Sequence, residues 1–190
     1  MKPLLIAAVL ACASCSTALR TGDLLFHVVA ADNHITLVTP ANIDHVAIYA
    51  GQGQVVEAIP HEGVVVTPLR QVLRRDDGHY LRGRVASAAR RQSVSNARQY
   101  LGQPYDTLFL TNNAAIYCSE LVLLSFVDKQ GNAIFSPVPM TFRDAHDSIP
   151  RYWRQLYARH RMPVPEGEPG SNPGELSQRR QVKLSLKPLR

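Results

Sequence analysis

Asp44-His45-Val46-Ala47-Ile48-Tyr49-Ala50-Gly51-Gln52-Gly53-Gln54-Val55-Val56-Glu57-Ala58 is the stretch that decides the fold. His45–Ala50 alternates and is rich in Val, Ile and Tyr, so it predicts a strand. Gly51-Gln52-Gly53 signals a turn, and Gln54–Ile59 returns as a second strand. A carboxylate at Glu57, inside an otherwise apolar strand, needs a partner or an exposed face. If the hairpin closes through three residues, Ala50 pairs with Gln54 and Glu57 faces Ala47. His45 is then its diagonal neighbour on one face. A one-residue slip would send Glu57 to the opposite face, and a two-residue loop would need a compensating bulge. Alternation alone also allows Glu57 to be an exposed strand residue.

Outward from this hairpin the pattern predicts strands early and helices late, hence an α+β fold. A turn leads into a strand over Arg20–Val29, and Asp32–Asn42 is irregular. Further strands are expected over Gly63–Thr67 and His79–Val85, with a short helix from Pro68 to Leu73. Ser87–Leu101 has helical spacing at Val94, Ala97 and Leu101, closed by Gly102 and Pro104. Cys118–Gln130 predicts a second helix, with Cys118, Leu121, Val122, Ser125 and Phe126 on one face. Pro137–Tyr157 reads as mixed helix and loop. From Pro163 the composition turns to Pro, Gly, Ser and Glu and then to a basic end, which predicts a mobile tail over 163–190.

With 45% hydrophobic residues in 190, the chain can form a packed core. The net charge of +6 is scattered in short pairs such as Arg74-Arg75, Arg90-Arg91 and Arg179-Arg180, with no continuous basic and aromatic face. This argues against nucleic acid and for weak attraction to envelope polymers or lipid headgroups. The sequence has no GxxxxGK[ST], GxGxxG or HExxH stretch, so neither a nucleotide cofactor nor a metal is expected.

Residues 1–15 predict an export signal: Met1-Lys2, an apolar run from Pro3 to Ala11, then Cys12-Ala13-Ser14-Cys15. The run is too short to span a bilayer as a helix. Val9-Leu10-Ala11-Cys12 resembles a bacterial lipobox, which makes Cys12 the expected lipid acceptor and Cys15 the alternative. The other reading is an ordinary cleaved signal with incidental cysteines. The expected location is the bacterial cell envelope, lipid-anchored, on the periplasmic side in a Gram-negative cell. A folded body over 20–162 then holds a single cysteine, Cys118, which can form neither an internal disulfide nor a cysteine-rich zinc site.

Cys118 opens an apolar helix after a polar loop. Unpaired amides and the dipole at a helix start favour a thiolate and can hold an oxyanion. From position alone it reads equally as a small buried core residue. His45 is one of seven histidines, and a strand histidine carries little weight by itself. With Glu57 beside it, the imidazole would be held in one tautomer, with its other nitrogen free for a thiol. Tyr117 and Ser119 flank the cysteine and are candidates for the oxyanion or cleft wall; packing serves Tyr117 equally well. Glu120 complements the helix dipole. Asp106, in Tyr105-Asp106, shapes the cleft or caps a turn.

Four stretches together resemble a family: Gly22-Asp23-Leu24-Leu25-Phe26, Asp44-His45-Val46-Ala47-Ile48-Tyr49, Gly102-Gln103-Pro104-Tyr105-Asp106 and Tyr117-Cys118-Ser119-Glu120-Leu121-Val122. In order and spacing, over about residues 20 to 130, they are similar to the circularly permuted branch of the NlpC-type papain-like hydrolases. The YiiX/YaeF group, similar in fold to lecithin:retinol acyltransferase, looks closest. In ordinary papain-like enzymes the cysteine precedes the histidine; here it follows. The resemblance implies an antiparallel sheet carrying His45 and Glu57, packed against the Cys118 helix. It also implies acyl chemistry with Cys118, His45 and Glu57 as catalytic residues. The substrates it implies are a peptidoglycan peptide or an acyl lipid. The contrasting expectation is a non-catalytic envelope lipoprotein on the same scaffold.

Overall fold

The computed structural model describes residues 18–75, 77–85, 90–111 and 113–189. The export segment, with Cys12 and Cys15, lies outside the described residues. The elements in chain order are β1 (Leu24–Val29), β2 (Ile43–Gly51), β3 (Gln54–Ile59), β4 (Gly63–Pro68), α1 (Leu69–Val72), β5 (Gly78–Val85), α2 (Arg90–Arg98) and α3 (Cys118–Ser125). They continue with β6 (Val138–Pro139), α4 (Arg151–Arg159), β7 (Pro169–Gly170), α5 (Pro173–Ser177) and β8 (Val182–Pro188). Six strands form one antiparallel sheet in the order β4-β3-β2-β1-β5-β8, so the α+β expectation holds.

The central hairpin reaches the expected parity by a different route. Gly51 pairs with Gln54, so the loop is Gln52-Gly53 and not Gly51-Gln52-Gly53. Both loop residues have positive φ (51° and 68°), as a two-residue turn matched to strand twist requires. The register then breaks between Tyr49 and Gly51, leaving Ala50 as the extra residue of a bulge. Beyond it Tyr49 meets Val55 and Ile48 meets Val56. One further step sets Glu57 opposite Ala47, with His45 diagonal to it. A second break, where His27 pairs with His45 but Val28 with Ile43, leaves Asp44 unmatched immediately before the histidine.

Alternation divides the apolar side chains between the two faces of the sheet. Leu24, Phe26, Val46, Ile48, Val56 and Ala58 join α2 and α3 through Val94, Ala97, Leu121 and Val122. Leu25, Ala47, Val55, Val72 and Tyr80 form a second cluster. A third, around Val38, Met140, Phe142, Trp153, Leu156 and Tyr157, lies under α4 and the loops.

The Cys118 helix is shorter than its pattern suggests. It ends at Ser125, and Phe126 turns away at φ −92°, ψ 89° to bury its ring fully. Two residues on, the Asp128 carboxylate accepts the amides of Gln130 and Asn132, closing a turn that competes with helix continuation.

The tail expectation is corrected. Residues 163–190 supply β7, α5 and β8. Pro173 opens α5, and the Asn172 side chain caps it by accepting the Glu175 amide at 2.7 Å. Leu176 is fully buried in the main core, and Val182 joins it there. Val182-Lys183-Leu184-Ser185 alternates along β8, which pairs with β5 as an edge strand with outward lysines. Proline- and glycine-rich composition mimics disorder, but here those residues cap and turn. The folded body therefore runs well beyond residue 162.

Candidate active site

Cys118 is the first residue of α3, a free thiol only 4% exposed. The helix packs across β2 and β3, which brings its start to the strands that carry His45 and Glu57. The His45 ring lies between them. Nε2 contacts Glu57 Oε2 at 2.8 Å, and Cys118 is close enough to the ring to raise its pKa, which leaves Nδ1 as the nitrogen available to the sulfur.

Glu57 is fully buried, and its partners explain how the sheet tolerates it. Arg75 donates from Nη2 to Oε1 at 2.7 Å and from Nη1 to Oε2 at 2.9 Å. Such a fork-to-fork pair is strong and directional. Thr67 of β4 is buried nearby and also lowers the Glu57 pKa. Arg75 Nη1 also donates to the Tyr80 hydroxyl at 3.0 Å, which ties β5 into the network. Burial would raise the Glu57 pKa, but His45, Arg75 and Thr67 outweigh it and hold the carboxyl well below the usual range. Burial would likewise lower His45. Its interactions with Cys118 and with the Glu57 carboxylate raise it to about 10. Burial pushes the Tyr80 phenol up to about 12, so it stays neutral beside Arg75. The arrangement favours an imidazolium held against a carboxylate that an arginine fixes.

Asp44 forms a separate arm of the site. Its Oδ1 contacts His27 Nδ1 at 2.7 Å, and its Oδ2 accepts Asn33 Nδ2 at 2.7 Å. Burial opposes ionisation, but these hydrogen bonds and the two histidines hold its pKa below the ordinary value. The bulge at Asp44 permits its side chain and that of His45 to serve different partners.

The flanking candidates divide. The Tyr117 hydroxyl accepts the Ser171 amide at 3.2 Å and faces the Met140 sulfur at 3.9 Å, so it is committed to packing. Ser119 is fully buried, and its Oγ has no hydrogen-bond partner among the described residues. The Asp106 carboxylate accepts the amides of Leu108 and Leu110 and the side chain of Asn113, so it is committed to holding these neighbours. Burial pushes Glu120 up to about 7, although it accepts the Tyr117 amide at 3.4 Å. Arg75, Thr67, Tyr80 and Asp44 are functional neighbours that sequence reasoning missed. Asp44 had a signal, since it adjoins His45. Arg75 had none, because Arg74-Arg75 looks like any exposed basic pair.

Cys118 borders a narrow pocket of about 40 Å³. Ile35, Val38, Phe109, Met140, Phe142 and Trp153 supply its apolar wall, with Asp44, Ser119 and Ser171 among the polar lining.

A solved structure similar to this chain is that of the metalloprotein yiiX from Escherichia coli O157:H7. It is 22% identical, with a TM-score of 0.71, and the match covers 88% of this chain and 97% of that one. It shows the fold. In this chain His45 Nε2 and both Glu57 oxygens are already engaged with each other and with Arg75. Among the described residues no group of three or more His, Cys, Asp or Glu side chains is placed to hold a metal ion. No curated protein matches the chain. Residues 18–183 match the family described as permuted papain-like amidase enzyme, YaeF/YiiX, C92 family. With the sheet, the late cysteine and the early histidine in that order, the chain belongs to this permuted papain-like family and is a cysteine hydrolase of the amidase type.

Proposed function

We propose that Cys118, His45 and Glu57 form the catalytic triad of a thiol hydrolase that cleaves an amide or ester through an acyl-enzyme. The supporting observation is the His45 ring, hydrogen-bonded to a buried, Arg75-clamped Glu57 and near enough to Cys118 for the two groups to interact. The Cys118 thiolate attacks the substrate carbonyl. Amides of the first turn of α3, which have no intrahelical partners, stabilise the oxyanion. On collapse the leaving amine or alcohol takes the proton from His45, and a thioester remains on the sulfur. Neutral His45 then removes a proton from water, and the hydroxide attacks the thioester. The acid departs as the thiolate and the imidazolium are restored. Glu57 keeps its charge throughout and stabilises the imidazolium.

The same proposal places the enzyme in the cell envelope, lipid-anchored at Cys12 or Cys15, where both peptidoglycan peptides and acyl lipids are within reach. The test is turnover of short-chain esters and amides by wild type, Cys118→Ala and His45→Ala, each verified as folded. Both variants are expected to lose activity. Full activity in Cys118→Ala would end the proposal.

A further inference from the structure

We infer that Ser171 is a further catalytic residue: its hydroxyl donates a hydrogen bond to the substrate's carbonyl oxygen as that oxygen gains charge, alongside the first-turn amides of α3. This rests on the nucleophile assignment above and deepens it. Ser171 belongs to the stretch whose composition reads as a tail, and no motif draws attention to it.

The state of its hydroxyl carries the inference. Ser171 lines the same narrow pocket as Cys118, is only 2% exposed, and its Oγ has no hydrogen-bond partner among the described residues. A buried hydroxyl without a partner is costly, and native proteins keep few of them. Other hydroxyls of the lining are engaged: Thr39 donates to the Ile43 carbonyl and Thr141 to Glu166. Ser119 Oγ is also unpartnered, but it belongs to the same turn of α3 as the amides and adds no second element to the site. Ser171 brings a donor from a separate segment.

Its backbone is fixed on every side. Gly170, before it, pairs with Val138 in the β6–β7 ladder. Asn172, after it, caps α5 by accepting the Glu175 amide at 2.7 Å. The Ser171 amide itself donates to the Tyr117 hydroxyl at 3.2 Å, and Tyr117 immediately precedes Cys118. Tyr117 is thus a peg that ties Ser171 to the start of the nucleophile helix. A donor already fixed in place needs no rearrangement when charge appears, which is the condition for strong oxyanion stabilisation. The hydroxyl hydrogen rotates about its bond to suit an acceptor, and no internal acceptor competes for it.

The step balances without another reactant. The Cys118 thiolate adds to the carbonyl carbon, the S–C bond forms, and the π pair moves onto oxygen. Ser171 Oγ donates a hydrogen bond to that oxygen and keeps its proton. When the carbonyl re-forms, the leaving group departs with the proton of His45, and Ser171 is unchanged.

The experiment compares two reactions of the same thiol in wild type, Ser171→Ala and Ser119→Ala. Acylation by 4-nitrophenyl acetate passes through an oxyanion; alkylation by iodoacetamide does not. Both are followed by mass mapping of the Cys118 peptide, together with steady-state ester turnover and thermal melts. In Ser171→Ala, acylation and kcat should fall about a hundredfold, as when one oxyanion donor is lost. KM and the alkylation rate should stay near wild type. The melting temperature should hold or rise, because an unpaired buried group has been removed. Acylation at the wild-type rate overturns the assignment, as does an equal slowing of acylation and alkylation. A fall in activity that tracks a lowered melting temperature marks a structural role and also overturns it, as does a larger loss in Ser119→Ala than in Ser171→Ala. Ester turnover by wild type with no acylation of the Cys118 peptide would overturn the nucleophile assignment itself.

Discussion

Arg75 grips Glu57 with both terminal nitrogens, at 2.7 and 2.9 Å, and so fixes the carboxylate that meets His45 at 2.8 Å. A fully buried glutamate next to an imidazole would otherwise face the cost of its own desolvation. The arginine offsets that cost and aims the carboxylate. Arg75→Met is expected to lower kcat/KM and to destabilise the fold. Removing one partner of a buried pair costs about 3–5 kcal/mol. The 28% exposure of the Arg75 side chain puts this variant at or below the low end. Denaturant melts together with kinetics check it; a variant equal to wild type in both would show the clamp to be incidental.

Glu57→Gln should reduce turnover less than His45→Ala. The amide still orients the ring but no longer stabilises its charged form. Glu57→Ala should be worse in stability, because it leaves Arg75 without its anion. Comparing the two by thermal melts and by kcat separates orientation from charge.

The pH dependence follows from the sign of the His45 shift. Its folded pKa is raised from 6.5 to about 10, so its pairing with Glu57 stabilises the fold fully below 6.5 and is lost as pH rises through about 10. The supply of protonated imidazole falls over the same alkaline window, which predicts the upper limb of the rate profile there. In Glu57→Gln one anion is gone, and that limb should move to lower pH. A profile whose alkaline limb is unmoved by the substitution would remove Glu57 from the mechanism.

Deleting residues 163–190 should abolish soluble folded protein. The deletion removes Leu176 and Val182 from the main core, and strips β8 from the edge of β5. Expression of the truncated chain, followed by circular dichroism, decides it; a folded, active truncation would mean that these elements are dispensable.

Much of this was legible in the sequence because the local signals were strong. The alternation of β2 and β3, the turn glycines and the thiol at a helix start are each written in consecutive residues. The parity that sets Glu57 diagonal to His45 was legible too, but not its route. A two-residue loop plus a bulge at Ala50 and a plain three-residue loop give the same parity, and the Gly51-Gln52-Gly53 pattern does not separate them. The rest depends on tertiary contact. Arg75 reaches Glu57 from a different segment, and Asp44 meets His27 across a strand pair. The end of α3 is set by a turn at Asp128, and the order of residues 163–189 by what Leu176 and Val182 bury. Composition carries no record of such contacts.

Lipid attachment is expected on Cys12, with Cys15 as the alternative. Mass spectrometry of the N-terminal fragment from a membrane fraction checks it. An unmodified mature chain beginning beyond Cys15 would refute the anchor.

The central claim is a covalent acyl-enzyme on Cys118. Rapid quenching of the wild-type protein with an activated acyl ester, then peptide mass mapping, tests it most directly. An adduct of the acyl mass is expected on the peptide containing Cys118, labile to hydroxylamine, absent from Cys118→Ala and slow to form in His45→Ala. Turnover with no adduct on that peptide, or an adduct on another residue, would contradict it.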